Sequence, residues 1–196
     1  MSIRLLLAAA AAGAFGLAPA PVANAPTGAA PLRIAVPAAA IAAGDLPEFS
    51  HLRPDEWVNS APLPAASLRG HPVLIEFWTF ACSNCLATQP WMRHIAAQYG
   101  PRGLVVIGVH TPELPQEYDP QAVRAAVRRL GIRYPVMLDA DYAYWRALGN
   151  AYWPAFYLFD ADGRRAATAI GELHRGEARG ERFEHAVGAA RTRDSL

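Results

Sequence analysis

Apolar residues in this chain form unbroken runs in some segments and recur at helical spacing in others. Unbroken apolar runs lie at 72–80 (PVLIEFWTF) and 103–110 (GLVVIGVH), and such runs are typical of β-strands covered on both faces. The segment 83–99 between them carries apolar residues four and five positions apart, and a Gly-Pro pair follows it. These residues are Leu86, Trp91, Ile95 and Tyr99. The pattern predicts a β-α-β unit with parallel strands.

The second half of the chain continues the alternation of helices and strands. Asp119 and Pro120 are typical of a helix start and Gly131 of a helix end, which predicts a helix over 119–131. Further elements are predicted as a short strand at 134–139, a short helix at 141–149, a hairpin turning at 160–163 and a final helix over 180–191 that buries Phe183 and Val187. Before the first long strand, 56–70 is predicted to be a short edge hairpin or an extended segment.

The first part of the chain differs in composition from the rest. Residues 1–25 combine one positive charge at Arg4, an apolar stretch at 5–17 and small residues after it, which is the pattern of a secretory signal peptide. The apolar stretch is shorter than the roughly 20 residues that span a bilayer, although an uncleaved anchoring helix is the alternative. Residues 26–46 are rich in alanine and proline and are predicted to be a linker. A single domain is therefore expected at 47–196.

Composition and charge exclude one class of partner. The 196 residues carry a formal net charge of +1, and the sequence pI is about 7.9. A protein that binds nucleic acid usually carries a strong basic excess. We therefore expect no nucleic-acid partner.

The two cysteines, Cys82 and Cys85, are the residues that point to chemistry. Both lie where the predicted strand at 72–80 passes into the helix at 83–99. In an exported protein an even cysteine number usually indicates a structural disulfide. A bridge between residues this close in sequence closes almost no loop, so it stabilises the fold little. The pair is therefore better suited to redox chemistry.

The position of the pair predicts different roles for its two thiols. A thiolate is the attacking species in disulfide exchange, and the free N–H groups at a helix N-terminus favour negative charge on Cys82. Cys85 lies one turn later, where it should be more buried and less acidic. We expect Cys82 to attack and Cys85 to resolve the mixed disulfide. Zinc is a weak alternative, because a structural site needs about four ligands and none of the six histidines is suitably paired.

The stretch VLIEFWTFACSNCLATQP resembles the exported thioredoxin-like proteins of the TlpA/DipZ type. Phe77 and Trp78 precede the Cys-x-x-Cys sequence, and Pro90 follows Cys85 by five residues. GLVVIGVHTPE and YWPAFYLFDADG are similar to the later half of the family, so the resemblance covers about 57–172. It implies an α/β thioredoxin-like fold, a central mixed β-sheet flanked by helices, with an N-terminal extension.

The resemblance also implies roles for residues near the cysteines. Glu76 matches the buried acid that exchanges a proton with the resolving cysteine, and burial should raise its pKa. The alternative for Glu76 is a sheet-edge position or an ion pair with an arginine. Pro154 matches the family's cis-proline, whose neighbouring backbone pairs with an extended substrate segment; the alternative is a trans-proline. Trp78 and Trp153 are expected to flank the cysteines and contact substrate, with core packing as the alternative.

Two polar residues, His110 and Glu113, follow the second long strand. The carboxyl ends of parallel strands are where α/β sheets build their sites. The pair could therefore tune Cys82 or contact a partner. Simple hydrogen bonding is the favoured interpretation of His110.

The function that these features imply is an exported, periplasmic or extracytoplasmic thiol:disulfide oxidoreductase. Its partners would be cysteine-containing envelope proteins, and the resemblance implies a reducing role supplied by a membrane electron donor of the CcdA or DsbD kind. No metal or organic cofactor is expected beyond the redox-active Cys82–Cys85 disulfide.

Two alternatives from other classes remain at this point. The first is a redoxin-type thiol peroxidase, although the sequence has no P-x-x-x-T-x-x-C stretch. The second is a Cu(I)-binding module that uses Cys82, Cys85 and either His110 or His174, because soft thiolates select Cu(I).

Overall fold

The computed structural model describes residues 45–190. The predicted signal peptide at 1–25 and the predicted linker up to residue 44 lie outside these residues. Within 45–190, none of the helices combines the length and the hydropathy needed to span a bilayer.

A mixed sheet forms the centre of the described part of the chain. Its strands are β1 (Trp57–Val58), β2 (Val73–Trp78), β3 (Val105–His110), β4 (Val136–Leu138), β5 (Ala155–Phe159) and β6 (Arg165–Ile170). They lie in the order β1-β4-β3-β2-β5-β6. Strands β2, β3 and β4 are parallel, whereas β5, β6 and β1 are each antiparallel to their neighbours. The predicted mixed sheet is therefore confirmed.

Helices cover both faces of this sheet. They are α1 (Ser83–Tyr99), α2 (Pro120–Arg129), α3 (Ala143–Ala147) and α4 (Ala178–Ala189). Because side chains alternate along a strand, Leu74 and Trp78 of β2 pack in the cluster that α1, α2 and α4 cover. Ile75 and Phe77 point to the other face, into the cluster that includes α3 residues and the segment before β1. Glu76 thus lies on the α1 side of the central strand.

Most predicted elements are present because short-range signals determine them. The helix predicted at 83–99 has those bounds. In α2 the Asp119 carboxylate caps the helix by accepting the Gln121 N–H at 2.9 Å. The chain turns between β5 and β6 at Asp160 to Gly163, where the Gly163 N–H bonds the Asp160 carbonyl at 2.9 Å.

The hairpin considered for 56–70 is wrong. Trp57 and Val58 pair with Met137 and Val136 of β4, and 65–68 forms a 3-10 turn. The strand partner comes from a segment nearly eighty residues later in the chain, a distance over which local sequence carries no signal. The alternative, an extended segment, is correct at β1.

Candidate active site

The two cysteines lie at the N-terminus of α1, as the sequence predicts. Cys82 is the N-cap of the helix, and its Sγ accepts the Cys85 N–H at 3.3 Å. Both thiols are free. Cys82 is half-buried, whereas Cys85 is 0% exposed. Cys82 is therefore the more accessible of the two cysteines, and Cys85 lies one turn behind it.

Burial dominates the electrostatics of Cys85. It raises the pKa of the Cys85 thiol strongly, and the hydrogen bond with Cys82 and the charges of Cys82 and Glu76 raise it further. A hydrogen bond to the Thr79 backbone acts in the opposite direction. The predicted difference in burial between the two cysteines is confirmed. A buried thiol of this kind needs a nearby proton acceptor before it can attack.

Glu76 is buried in the middle of β2 and contacts two polar side chains. Its Oε1 accepts the Gln89 Nε2–H at 3.1 Å, and its Oε2 accepts the Tyr134 hydroxyl at 2.9 Å. The Tyr134 hydroxyl also lies 3.1 Å from Gln89 Oε1. Glu76 pairs with Gly108 and Phe156 on the neighbouring strands, so it is neither at a sheet edge nor in an ion pair with an arginine. We call Glu76, Gln89 and Tyr134 the buried polar triad.

The pKa of Glu76 is raised to about 8. Burial is the largest cause, because the charged form loses its hydration. The hydrogen bonds from Tyr134 and Gln89 favour the carboxylate and lower the pKa in opposition. This is the direction that the sequence predicts.

Gly108 makes room for the triad. It lies beside Glu76 on the adjacent strand β3. A Cβ at this position would meet Trp78 Nε1 at 2.9 Å and Tyr134 Cε2 at 3.2 Å. A larger residue here would displace one of these rings, so this site on β3 requires a glycine.

A second buried carboxylate, Glu117, lies behind the loop that carries Cys82. Its Oε1 accepts the Ala81 N–H at 2.8 Å, and its Oε2 accepts the N–H groups of Glu113 and Leu114 at 2.8 and 2.9 Å. Burial acts to raise the pKa of Glu117, but these bonds and one from Thr79 hold it below its usual value. Glu117 is thus an ionised anchor that connects the cysteine loop to the turn before α2.

His110 is buried and neutral. Its Nε2 lies 3.4 Å from the Thr79 hydroxyl, and its ring stacks on Phe80 with centroids 5.6 Å apart. Burial lowers its pKa to about 4. This agrees with the hydrogen-bonded interpretation. Glu113 is exposed, and its described hydrogen bond is the one its backbone makes to Glu117.

Trp78 and Trp153, the two tryptophans predicted to contact substrate, differ in their exposure to solvent. Trp78 is 0% exposed, so a direct contact with substrate is wrong; its indole packs over Gly108 inside the core. Trp153 is half-buried, donates its indole N–H to the Thr111 carbonyl at 3.1 Å, and packs on Trp145 at 4.3 Å between centroids. The Trp153–Pro154 peptide is cis, as expected from the resemblance. The substrate-binding roles of Trp153 and Pro154 stay predictions.

Possible metal ligands group elsewhere. Among residues 45–190, the one cluster of three or more His, Cys, Asp or Glu ligands within 4.8 Å of one another is His51, Asp139 and Asp141. Neither His110 nor His174 joins the cysteines in such a cluster. The Asp139 carboxylate is already bonded to His51, Thr111 and two backbone N–H groups, so it serves the packing of α3.

A helix that begins at a Cys-x-x-Cys pair, packed on a mixed sheet whose central strand precedes it, defines the thioredoxin-like class of redox proteins. The chain belongs to the redoxin family, whose model matches residues 42–182.

Named relatives agree with this assignment. Protein DipZ of Mycobacterium bovis is 44% identical over 119 residues, which are 59% of this chain and 17% of DipZ. The chain therefore spans less than a fifth of that relative. Thiol-disulfide oxidoreductase YkuV of Bacillus subtilis is 30% identical over 108 residues, 55% of this chain and 72% of YkuV. The solution structure of a thioredoxin-like protein in the oxidised form has a TM-score of 0.65 and 26% identity, and the match covers 74% of this chain and 96% of that one.

Three polar residues of the site were not identified from the sequence. They are Gln89, Tyr134 and Glu117. Gln89 follows Cys85 by four residues, and this helical spacing was the one signal that could have indicated it. Tyr134 and Glu117 reach the site from distant loops, and no local pattern marks them.

Proposed function

We propose that this protein is a thiol:disulfide oxidoreductase that exchanges disulfides with other proteins through Cys82 and Cys85. The observation that supports it best is the half-buried Cys82 at the cap of α1, with the fully buried Cys85 one turn behind it. An accessible nucleophile and a shielded resolving thiol are what two-step exchange needs. Membership of the redoxin family and the similarity to YkuV support the same activity.

In the first step the Cys82 thiolate attacks one sulfur of a substrate disulfide, and the other substrate sulfur leaves as a thiolate. The N-terminus of α1 stabilises the negative charge on Cys82, because the Cys85 N–H already points at this sulfur at 3.3 Å. In the second step Cys85 loses its proton to Glu76 and attacks Cys82 Sγ. The Cys82–Cys85 disulfide forms, and the substrate leaves with both sulfurs reduced.

Pro154 is proposed to orient an extended substrate segment beside the cysteines, with Trp153 forming part of that surface. The cysteine pair itself carries the two electrons, so the exchange requires no metal or organic cofactor. We propose the reducing direction, with electrons from a membrane donor of the CcdA or DsbD kind and cysteine-containing envelope proteins as substrates. The family resemblance supports this direction, and the signal-peptide pattern at 1–25 supports export.

Trapping of partners tests the assignment of the two thiols. Cys85→Ser should accumulate mixed disulfides with substrate proteins, whereas Cys82→Ser, the matched control, should form none. The adducts are counted on non-reducing gels of envelope fractions and should disappear with dithiothreitol. Equal adduct yields from the two variants would show that the roles are wrongly assigned.

The reduction potential of the pair tests the direction. Equilibration with glutathione or dithiothreitol, followed by tryptophan fluorescence, should give a value near −270 mV, on the order of that of thioredoxin. A value close to about −120 mV would instead indicate a donor of disulfides. The same preparation should not consume hydrogen peroxide at a comparable rate, which separates exchange from the peroxidase alternative.

A further inference from the structure

We propose that Tyr134 and Gln89 are positioning residues that hold the Glu76 carboxylate ready to take the proton of the Cys85 thiol. This inference rests on the proposed function, because it concerns the second step of the exchange. It gives Tyr134 and Gln89 a role in proton transfer that the family resemblance does not imply.

The triad supplies one hydrogen-bond donor to each oxygen of Glu76. Gln89 Nε2 lies 3.1 Å from Oε1, and the Tyr134 hydroxyl lies 2.9 Å from Oε2. The same hydroxyl lies 3.1 Å from Gln89 Oε1, so the three side chains form one connected polar cluster. Reversing the amide would place its oxygen against a carboxylate oxygen. All three groups are essentially buried, so water does not replace either donor.

These two bonds determine whether Glu76 can act as a base. Burial drives a carboxyl group toward its neutral form, and a neutral acid accepts no proton. Donors to both oxygens favour the charged form, and the balance leaves the pKa of Glu76 at about 8. About a tenth of the molecules then carry the carboxylate at pH 7. Removing either donor should raise the pKa of Glu76 further and leave a smaller fraction of carboxylate.

The triad is connected to the helix that carries the cysteines. Gln89 follows Cys85 by one helical turn, so both side chains lie on the same face of α1. The Glu76 charge is close enough to raise the pKa of the Cys85 thiol. When Cys85 gives its proton to Glu76, the thiolate attacks Cys82 Sγ and the substrate thiolate leaves. The proton on Glu76 returns to Cys85 when the Cys82–Cys85 disulfide is next reduced.

Tyr134 can be changed with little disturbance of the core. Its ring forms part of the wall of a cleft of ≈ 550 Å³ between α1 and the start of β3, and its hydroxyl points inward to the triad. Tyr134→Phe removes this hydroxyl alone. Tyr157→Phe is the matched control, because Tyr157 is also buried and its hydroxyl bonds Asn150 at 2.9 Å on the opposite face of the sheet.

The experiment uses the reduced full chain and 5,5′-dithiobis(2-nitrobenzoate) in a stopped-flow instrument between pH 5.5 and 9.5. Release of the first nitrothiolate reports attack by Cys82, and release of the second reports resolution by Cys85. In Tyr134→Phe the second phase at pH 7 should be about three- to tenfold slower. Its pH inflection should rise by about one unit while the first phase stays unchanged. Tyr157→Phe should match the wild type in both phases.

A second readout does not depend on activity. The Glu76 carboxyl is titrated by carbon-13 NMR, with Glu76→Gln providing the assignment, and Tyr134→Phe should move the titration midpoint upward. Gln89→Leu removes the other donor and should act in the same direction, so it replaces Tyr134→Phe if that variant does not fold. An unchanged midpoint and an unchanged second phase in a folded variant would overturn the proposal. Absence of a second phase in the wild type would instead overturn the proposed function.

Discussion

The buried carboxyl of Glu76 should make the stability of the reduced protein fall as the pH rises. Its pKa is 4.5 in the unfolded chain and about 8 in the fold. Between these pH values the unfolded state releases a proton that the folded state keeps. The free energy of unfolding therefore falls by about 1.4 kcal/mol for each unit by which the pH rises. The full shift corresponds to about 5 kcal/mol. Glu76→Gln replaces this titrating group with a neutral one, so the free energy of unfolding should depend less on pH.

The window from pH 6.5 to 8 isolates the effect. The pKa of His110 is lowered from 6.5 to about 4, so the stability that its neutral form contributes is lost mainly as the pH falls from 6.5 to 4. It changes by only about 0.4 kcal/mol between pH 6.5 and 8, and it does so equally in the wild type and in Glu76→Gln. From pH 6.5 to 8, Glu76 should remove roughly 1.5 kcal/mol from the wild type. The stability of Glu76→Gln relative to the wild type should therefore rise by that amount between pH 6.5 and 8.

The assay is urea unfolding of the reduced protein, followed by tryptophan fluorescence at several pH values in a non-thiol reductant. Glu113→Gln is the matched control, because Glu113 is exposed and its substitution should retain the wild-type slope. Parallel profiles for the wild type and Glu76→Gln from pH 6.5 to 8 would refute the reasoning, since they would mean that Glu76 is not protonated in the fold.

Three further variants test the surroundings of the site by urea unfolding. Glu117→Gln should lower the free energy of unfolding by about 2 kcal/mol at pH 7, because the carboxylate bonds three backbone N–H groups. The pKa of Glu117 is lowered in the fold, so this difference should shrink as the pH falls below 4.5. A difference that persists there would contradict the charge argument. Gly108→Ala should lower the free energy of unfolding by about 1–3 kcal/mol. Gly100→Ala is the control and should change it little, because nothing lies within 4 Å of the Cβ that it would add. Equal losses for the two variants would exclude the steric argument. Asp139→Ala should lower the free energy of unfolding by about 3 kcal/mol, because four hydrogen bonds are lost. Asp141→Ala, at a more exposed side chain that accepts the Ala143 N–H, should lower it by about 1 kcal/mol. The reverse order would disprove the packing role.

Local sequence signals were sufficient for the helices and strands around the cysteines. The apolar runs became β2 and β3, and the spacing from 83 to 99 gave α1 its bounds. The position of Cys82 at the helix cap follows from the same boundary. These features depend on residues within a few positions of one another, so they can be predicted without knowledge of the fold.

Trp78 shows where local patterns were insufficient. An aromatic residue that precedes a Cys-x-x-Cys pair is compatible both with a substrate surface and with the core. The absence of a side chain at Gly108, thirty residues later, leaves the space into which the indole packs. The sequence could not distinguish the two interpretations, because the two positions become neighbours only when β2 and β3 pair.

The sequence by itself determined the Cys-x-x-Cys pair at a helix N-terminus, the alternation of strands and helices, and an acid in an apolar strand whose pKa burial must raise. Only the tertiary structure decided what surrounds that acid. Tyr134 is 58 residues from Glu76 along the chain, and Glu117 is 36 residues from the Ala81 N–H that it accepts. Hydrogen bonds act over about 3 Å, so partners this distant in sequence are determined by the packing of the whole sheet and its helices.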